Sequence, residues 1–151
     1  MKEFNNINEI LDFAIAEEQA AVDFYMMMAA QSKSQQTKKV FQEFAEEEMR
    51  HKANLMSVRE NGFFQMEDQQ VRDLKITEYL VDVKPSPAMS YQESLILAMK
   101  KEKAAFRMYT SLAEKATDPT VKETFLRLAQ EESKHKLRFE IEYDEYILKE
   151  N

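Results

Sequence analysis

Apolar residues follow a three-four spacing along four long stretches of the chain, which is the spacing of one face of an α-helix. These stretches predict helices over about 6–31, 34–61, 90–117 and 118–149. Their stripes are Leu11, Ala14, Glu18, Ala21, Tyr25 and Met28; Phe41, Phe44, Glu48, His51, Leu55 and Val58; Leu95, Ala98, Glu102, Ala105, Tyr109 and Leu112; and Phe125, Leu128, Glu132, His135 and Phe139. Ionisable residues interrupt every stripe near its middle, and an ordinary apolar core does not explain them.

The ends of the predicted helices carry residues that are typical of helix boundaries. They are Asn6 with Glu9, Ser90 with Glu93, Asp118 with Pro119, and Gly62 at the end of the second helix. The first two pairs predict capping boxes, the third an N-cap followed by proline in the first turn, and the glycine a C-terminal stop.

The connections between the helices predict the architecture. Short polar links around 32–34 and 117–118 favour two antiparallel hairpins. The segment 62–89 is long, and its Pro85 and Pro87 prevent a continuous helix. Extended, it can return along the whole length of a helix. We therefore expect an all-α four-helix bundle with one long crossover between the second and third helices, in a single domain over 1–151.

The two hairpins are copies of each other. The repeat halves span about 6–61 and 90–149, and a shift of 84 positions aligns residues 6–61 with residues 90–145 without a gap. Matched pairs include Leu11 and Leu95, Glu18 and Glu102, Tyr25 and Tyr109, Phe41 and Phe125, Glu48 and Glu132, His51 and His135, and Lys52 and Lys136. The bundle should therefore have an approximate two-fold axis.

Six ionisable residues of the stripes should converge inside this bundle. They are Glu18, Glu48, His51, Glu102, Glu132 and His135, and they include both histidines of the chain. Converging buried carboxylates are costly because each is desolvated and each repels the others. Two divalent cations would neutralise four carboxylates, and the set matches that of dinuclear carboxylate bundles. Mixed oxygen and imidazole ligands suit Fe, Mn or Zn better than Ca or Cu(I).

Four further residues are candidates for supporting roles. Tyr25 and Tyr109 lie two turns after Glu18 and Glu102, where each can donate a hydrogen bond to a ligand carboxylate across the bundle. A redox role for these tyrosines is the alternative. In the "FAEEEMRH" run, Glu46 matches Gln130, whereas Glu47 matches Glu131. Glu47 and Glu131 lie off the stripe, so we expect solvent exposure, with contact to a histidine N–H as the alternative.

Composition narrows the classes of function. The net charge of −7 and pI of about 5.0 argue against nucleic acid as a partner, since phosphate binding needs a basic patch. The absence of cysteine excludes disulfides, thiolate metal sites and rubredoxin-type iron centres. The N-terminal segment does not resemble a secretory signal, and no apolar run has the length of a membrane span. We expect a cytoplasmic protein.

The helices that carry these residues resemble those of the rubrerythrin family in the ferritin-like superfamily. "AIAEEQAAVDFY" and "AMKKEKAAFRMY" resemble its first and third helices, and "FAEEEMRH" and "LAQEESKH" its second and fourth. The resemblance implies a di-iron centre that reacts with peroxide or dioxygen, commonly in a homodimer with exchanged elements. Glu18, Glu48, Glu102 and Glu132, with Tyr25 and Tyr109, are then its catalytic residues.

The chain also departs from the family pattern. Without cysteine it has no rubredoxin domain, so the electrons must come from an external donor such as a rubredoxin or a reductase. The family's additional ligand glutamate near Glu102 has no counterpart, since Ala98, Met99, Ala105 and Phe106 occupy the neighbouring positions on that face. The short fifth helix of ferritin cages is also not expected.

Three functions remain open at this stage. The first is an oxidoreductase that removes peroxide or dioxygen in defence against oxidative stress. The second is a ferritin-like protein that binds or oxidises iron without peroxidase turnover. The third is a purely structural helical bundle, in which the buried carboxylates would bind no metal.

Overall fold

The fold class predicted from the sequence is confirmed, with the chain forming a four-helix bundle. A computed structural model describes residues 4–150, apart from the side chains of Tyr79 and Glu150. Its helices are α1 (Ile7–Gln31), α2 (Gln35–Asn61), α3 (Asp68–Asp73), α4 (Tyr91–Lys115) and α5 (Pro119–Glu150), with a 3₁₀ helix at Ile76–Tyr79. The described range contains no β-strand, and none of its helices is long and apolar enough to span a membrane.

The N-terminal caps of α1 and α4 differ in one hydrogen bond. At α4, Ser90 accepts from the Glu93 N–H at 3.1 Å and Glu93 accepts from the Ser90 N–H at 3.0 Å, which completes the predicted capping box. At α1, Asn6 accepts from the Glu9 N–H at 3.0 Å, but the Glu9 carboxylate accepts from the Asn5 N–H at 3.3 Å. The box predicted at Asn6 is therefore only half formed, because Glu9 bonds one residue further upstream.

The other predicted boundaries are present. The Asp118 carboxylate accepts hydrogen bonds from the N–H groups of Thr120 and Val121 at 2.9 and 3.0 Å, which caps α5. Gly62 ends α2 with φ of 65°, in the left-handed region that favours glycine. These caps fix where each helix begins or ends, and therefore which residues share a level of the bundle.

The helices pack as two hairpins, α1 with α2 and α4 with α5, and the hairpins meet where α1 lies beside α4 and α2 lies beside α5. The crossover, by contrast, is not simply an extended loop. It contains α3 and the 3₁₀ helix, and it buries Phe64, Val71 and Ile76 against one end of the bundle. These apolar residues are too few and too irregularly spaced for a periodic pattern to reveal them.

Two apolar cores lie at opposite ends of the bundle. One is formed by the start of α1, the end of α2, the end of α4 and the start of α5, together with the crossover residues. The other is formed by the opposite ends of the same helices and includes Phe24, Tyr25, Phe41, Leu95 and Phe139. The six predicted ionisable residues lie at the level between the two cores.

Candidate metal centre

All four long helices contribute to one buried cluster at the middle of the bundle. Helix α1 contributes Glu18 and α4 contributes Glu102. Helix α2 contributes Glu48 and His51, which face the same way because they are three residues apart; α5 contributes the matching pair, Glu132 and His135. All six side chains are buried, with exposed fractions of 1–3%. The structure therefore brings together every residue that the sequence assigned to the metal site.

His51 faces three of the carboxylates. Its Nδ1 atom lies 3.1 Å from Glu132 Oε1, 3.5 Å from Glu48 Oε1 and 3.6 Å from Glu18 Oε2. The Glu132 carboxylate comes from the other hairpin, so this group of four already joins the two halves of the chain.

His135 faces a second, overlapping group. Its Nδ1 atom lies 3.0 Å from Glu48 Oε1 and 3.7 Å from both Glu102 Oε1 and Glu132 Oε1. In each group, one ligand atom from every member lies within 4.8 Å of the others, and Glu48 and Glu132 belong to both. The arrangement therefore offers two adjacent cation positions that share two carboxylates.

Unpartnered atoms show that these residues fit a metal pair. Among the described residues, the buried atoms without a hydrogen-bond partner include Glu18 Oε2, Glu102 Oε2, Glu132 Oε1, both Oε atoms of Glu48, and the Nδ1 atoms of His51 and His135. An orphaned buried polar atom is costly, so a cluster of seven is unusual unless a cation satisfies them. Two divalent ions would satisfy these atoms and neutralise the charge.

The carboxylates destabilise one another in the metal-free cluster. Burial raises the pKa of Glu48 well above its ordinary value, and the negative charges of Glu132 and Glu18 raise it further. Burial likewise raises the pKa of Glu102, with the charge of Glu132 adding to the effect. The chain alone therefore favours protons on part of this cluster.

The histidines hold protons because carboxylates surround them. Burial opposes the charged form of His51, but the nearby carboxylates of Glu132 and Glu18 prevail and raise its pKa to about 11. Burial also opposes the charged form of His135, whose pKa rises to about 10 because of Glu102 and other carboxylates. A metal pair would have to displace these protons, since a metal-bound imidazole nitrogen is deprotonated.

Two outer carboxylates orient the histidine rings. The Nε2 atom of His51 contacts the Glu131 carboxylate, and that of His135 contacts the Glu47 carboxylate. A carboxylate accepts hydrogen bonds, so each Nε2 donates and each Nδ1 faces the cluster. The sequence favoured solvent exposure for Glu47 and Glu131, with contact to a histidine as the alternative. The structure shows the alternative, and each glutamate contacts the histidine of the other hairpin. Neither is fully exposed, at 36–37% of the side chain.

The two tyrosines make the hydrogen bonds that the sequence favours. The Tyr25 hydroxyl donates to Glu102 Oε1, and the Tyr109 hydroxyl donates to Glu18 Oε1. Each bond crosses from one hairpin to the other, and both phenols are buried, with exposed fractions of 1%. Burial, together with the charge of Glu18, raises the pKa of Tyr109 well above its ordinary value, so it remains a donor.

Phe44 is a site neighbour that sequence analysis did not identify. Its ring stacks on that of His135, with the centroids 4.1 Å apart and the planes 26° apart. Phe44 lies on the apolar stripe of α2, but its counterpart after the 84-residue shift is Leu128. The repeat therefore gave no signal here, since it finds only what the two halves share.

A small cavity connects the cluster to the surface between α1 and α4. Its volume is about 50 Å³, which accommodates water-sized molecules, and its lining includes the carboxylates of Glu18, Glu48, Glu102 and Glu132. Other lining residues are Glu17, Ala21, Pro85, Lys101 and Ala105. Pro85 comes from the crossover, whose path could not be inferred from periodicity, so the sequence did not predict this opening.

Comparisons with known proteins agree with this geometry. The family model named Rubrerythrin matches residues 9–143, which is most of the chain. Among solved structures, the chain is similar to a hypothetical protein from Pyrococcus furiosus, with 23% sequence identity over 91% of this chain and 87% of that chain and a TM-score of 0.71. At that identity the similarity shows the fold alone. The comparison with curated proteins found no significant match.

Proposed function

The chain belongs to the rubrerythrin family, and on that premise we propose that it is a di-iron oxidoreductase that reduces peroxide or dioxygen. The observation that carries the proposal is the pair of overlapping four-residue groups that share Glu48 and Glu132. Two ions held by common carboxylates lie close enough to act on the same small molecule.

The donor set is compatible with iron as the metal. Glu18 with His51 would hold one ion and Glu102 with His135 the other, with Glu48 and Glu132 shared between them. Carboxylate and imidazole ligands suit Fe, Mn and Zn, and of these zinc has no redox chemistry. When bound, an iron pair supplies the electrons that reduce an O–O bond.

The chain's own groups hold the site in place and keep it dry. Tyr25 and Tyr109 each fix one oxygen of a carboxylate by donating a hydrogen bond, which leaves the second oxygen of Glu102 or Glu18 facing the cluster. Glu131 and Glu47 fix the histidine tautomers, as outer carboxylates commonly do at metal sites. Apolar cores on both sides exclude bulk water, and the cavity between α1 and α4 would admit only small oxidants.

The partners in this proposal are small oxidants and a separate electron donor. The chain contains no cysteine, so a rubredoxin or a reductase would return electrons to the iron pair. We also propose a homodimer, in which repeated hairpins allow helices to be exchanged between protomers.

Anaerobic loading tests the proposal. Adding two ferrous ions per chain and then peroxide or dioxygen should give rapid oxidation and a ferric absorption band. The Glu48→Gln, Glu132→Gln double variant should give neither, whereas Glu46→Gln, which alters an exposed residue, should behave as the unmodified protein. If neither oxidant changes the spectrum of the loaded protein, the oxidoreductase proposal is wrong.

Iron oxidation, with iron as the substrate, is the second candidate. It is supported by the surroundings of Glu102, where Ala98, Met99, Ala105 and Phe106 leave α4 without a further carboxylate at those positions. This candidate predicts that the protein oxidises many ferrous ions per chain with dioxygen and forms large assemblies that retain them. A dimer that stops at two ions per chain would contradict it.

A further inference from the structure

A row of aromatic rings leads from the metal-site cluster toward the surface. It begins at Tyr25, whose hydroxyl bonds to Glu102, and continues to Phe139 at 5.2 Å between ring centroids. Phe139 stacks on Phe41 at 5.5 Å, and Phe41 lies 6.4 Å from Tyr91. These separations are within the usual range for contacting aromatic rings.

A second branch starts at a histidine of the candidate metal site, His135, and joins the same row. Phe44 stacks on His135 at 4.1 Å and lies 6.4 Å from Phe41. Phe41 is fully buried and receives both branches, so it is the point through which either route reaches Tyr91. Phenylalanine is too hard to oxidise to carry charge itself. The contacting rings instead couple Tyr25 electronically to Tyr91, at the two ends of the row.

Tyr91 lies at the outer end beside a buried carboxylate. Tyr91 is half-buried, as is Tyr146, whose ring lies 5.3 Å away. Burial raises the pKa of Tyr91, and Glu142 raises it further through its charge and a hydrogen bond, so the phenol keeps its proton. Glu142 is buried and accepts a hydrogen bond from Thr37 Oγ1 at 3.1 Å, while Arg138 Nη2 lies 3.9 Å from its other oxygen.

We propose that Tyr91 is a redox-active residue that supplies an electron to the metal centre through Phe41, with Glu142 as the acceptor of its phenolic proton. The inference rests on the proposed function, because peroxide is the oxidant. Peroxide takes up two electrons and two protons as its O–O bond breaks and two water molecules form. When the iron pair can give only one electron, Tyr91 gives the other.

The products of this step are defined. Tyr91 loses one electron and one proton and becomes a neutral phenoxyl radical, while the proton moves to a Glu142 carboxylate oxygen. The two protons used to form water come from solvent. A one-electron donor outside the protein then reduces the radical, and Glu142 returns the proton. Peroxide is thereby reduced fully to water at a half-reduced site, without releasing a free radical.

Tyr91 is better suited to this role than Tyr25. The Tyr25 hydroxyl bonds to Glu102, which the metal pair would occupy, so this carboxylate is a poor proton acceptor. Glu142 belongs to neither metal group and therefore remains available. The half-buried position of Tyr91 also brings it closer to an external donor than Tyr25, which is 1% exposed.

The test compares protein loaded with one and with two ferrous ions per chain. Each sample is mixed with peroxide, frozen within milliseconds and examined by electron paramagnetic resonance. One ion per chain should give a tyrosyl radical signal, identified by the change in its hyperfine pattern when deuterated tyrosine is incorporated. Two ions per chain should give a far weaker signal, because the pair then supplies both electrons.

Matched variants assign the radical. Tyr91→Phe keeps the ring and should lose most of the signal, whereas Tyr143→Phe, on α5 beside the same core, should keep it. Phe41→Leu should reduce the radical yield while Tyr91 itself is unchanged. Glu142→Gln should also reduce the yield, because the neutral amide accepts a proton poorly. Circular dichroism and metal content should match the unmodified protein in every variant.

The outcomes distinguish this inference from the proposed function. If peroxide oxidises the bound iron but Tyr91→Phe and Tyr143→Phe retain equal radical signals, the role of Tyr91 is overturned and the oxidoreductase proposal stands. If neither peroxide nor dioxygen produces ferric absorption in the unmodified protein, both fail together; if only dioxygen does, the role of Tyr91 is overturned and the oxidoreductase proposal stands. A radical that persists in Phe41→Leu at full yield would overturn the ring path alone.

Discussion

The two ends of the bundle are alike where they meet at the metal-site cluster and different beyond it. At the cluster, the outer hydrogen bonds come in matched pairs: Tyr25 bonds to Glu102 as Tyr109 bonds to Glu18, and each histidine contacts an outer glutamate of the opposite hairpin. Since these contacts run between hairpins, neither hairpin can complete a cation position alone. The symmetry is maintained where two metal ions would need equivalent surroundings.

Beyond the cluster the two ends of the bundle diverge in aromatic content. Phe41 and Phe125 correspond, but Phe44 and Phe139, at the Tyr25 end, correspond to Leu128 and Leu55 at the Tyr109 end. The Tyr109 end instead packs Phe125 against Phe64 of the crossover, at 5.2 Å. One end therefore receives the crossover, and the other has a continuous row of rings. The difference indicates that the two ends share the residues of the candidate metal site but not their surroundings.

The largest expected effect tests which carboxylates are shared. Glu48→Ala or Glu132→Ala should impair both cation positions and reduce bound metal to well below two ions per chain, because each carboxylate belongs to both groups. Glu18→Ala or Glu102→Ala should leave one ion bound. Elemental analysis after dialysis against excess ferrous or zinc ion measures this difference. A variant of Glu48 that still binds two ions would show that the carboxylate is not shared.

Removing the outer carboxylates should give smaller and equal losses. Glu131→Gln and Glu47→Gln each replace the acceptor for one histidine N–H. Metal affinity should fall by about 10–100-fold in each, which is typical for groups that orient a ligand. Isothermal titration with zinc provides the measurement, with Glu46→Gln as an exposed control. Unequal losses for the two variants would show that the two cation positions are less symmetric than the matched histidine contacts indicate.

Most of the site follows from the sequence because two regularities overlap. Helical periodicity places Glu18, Glu48 and His51 on buried stripes, and the repeat places their counterparts there independently. Periodicity assigns a residue to a face but not to a neighbouring helix, so it could not show that Glu131 contacts His51 rather than His135. The crossover contacts, including Pro85 at the cavity, depend on tertiary packing that leaves no periodic trace.

Protonation should make the stability of the metal-free protein fall as pH rises. The histidines have pKa values of about 11 and about 10 when folded, against ~6.5 when unfolded. Their contribution is therefore fully present below about 6.5 and is lost as pH rises toward 10–11. The raised pKa values of Glu48 and Glu102 act in the same direction above about 4.5.

Urea unfolding between about pH 5 and pH 9 tests this dependence, with chelator in one series and zinc in the other. The metal-free protein should lose stability across the range. The zinc-loaded protein should not, since metal binding releases the protons and strengthens as pH rises. Two series that decline in parallel would show that zinc does not occupy the buried cluster.

The smallest effect is expected from a substitution that makes the Tyr25 end of the bundle resemble the Tyr109 end. Phe44→Leu introduces the residue found at the matching position, Leu128, and removes the ring stacked on His135. The free energy of unfolding should fall by about 1 kcal/mol, because Phe44 is only half-buried and leucine retains much of the packing. Zinc affinity should change little, since Glu47 still fixes the His135 tautomer through Nε2. A large loss of affinity would instead mean that Phe44 helps to orient His135 for metal binding. The asymmetry between the two ends of the bundle would then extend into the cluster itself.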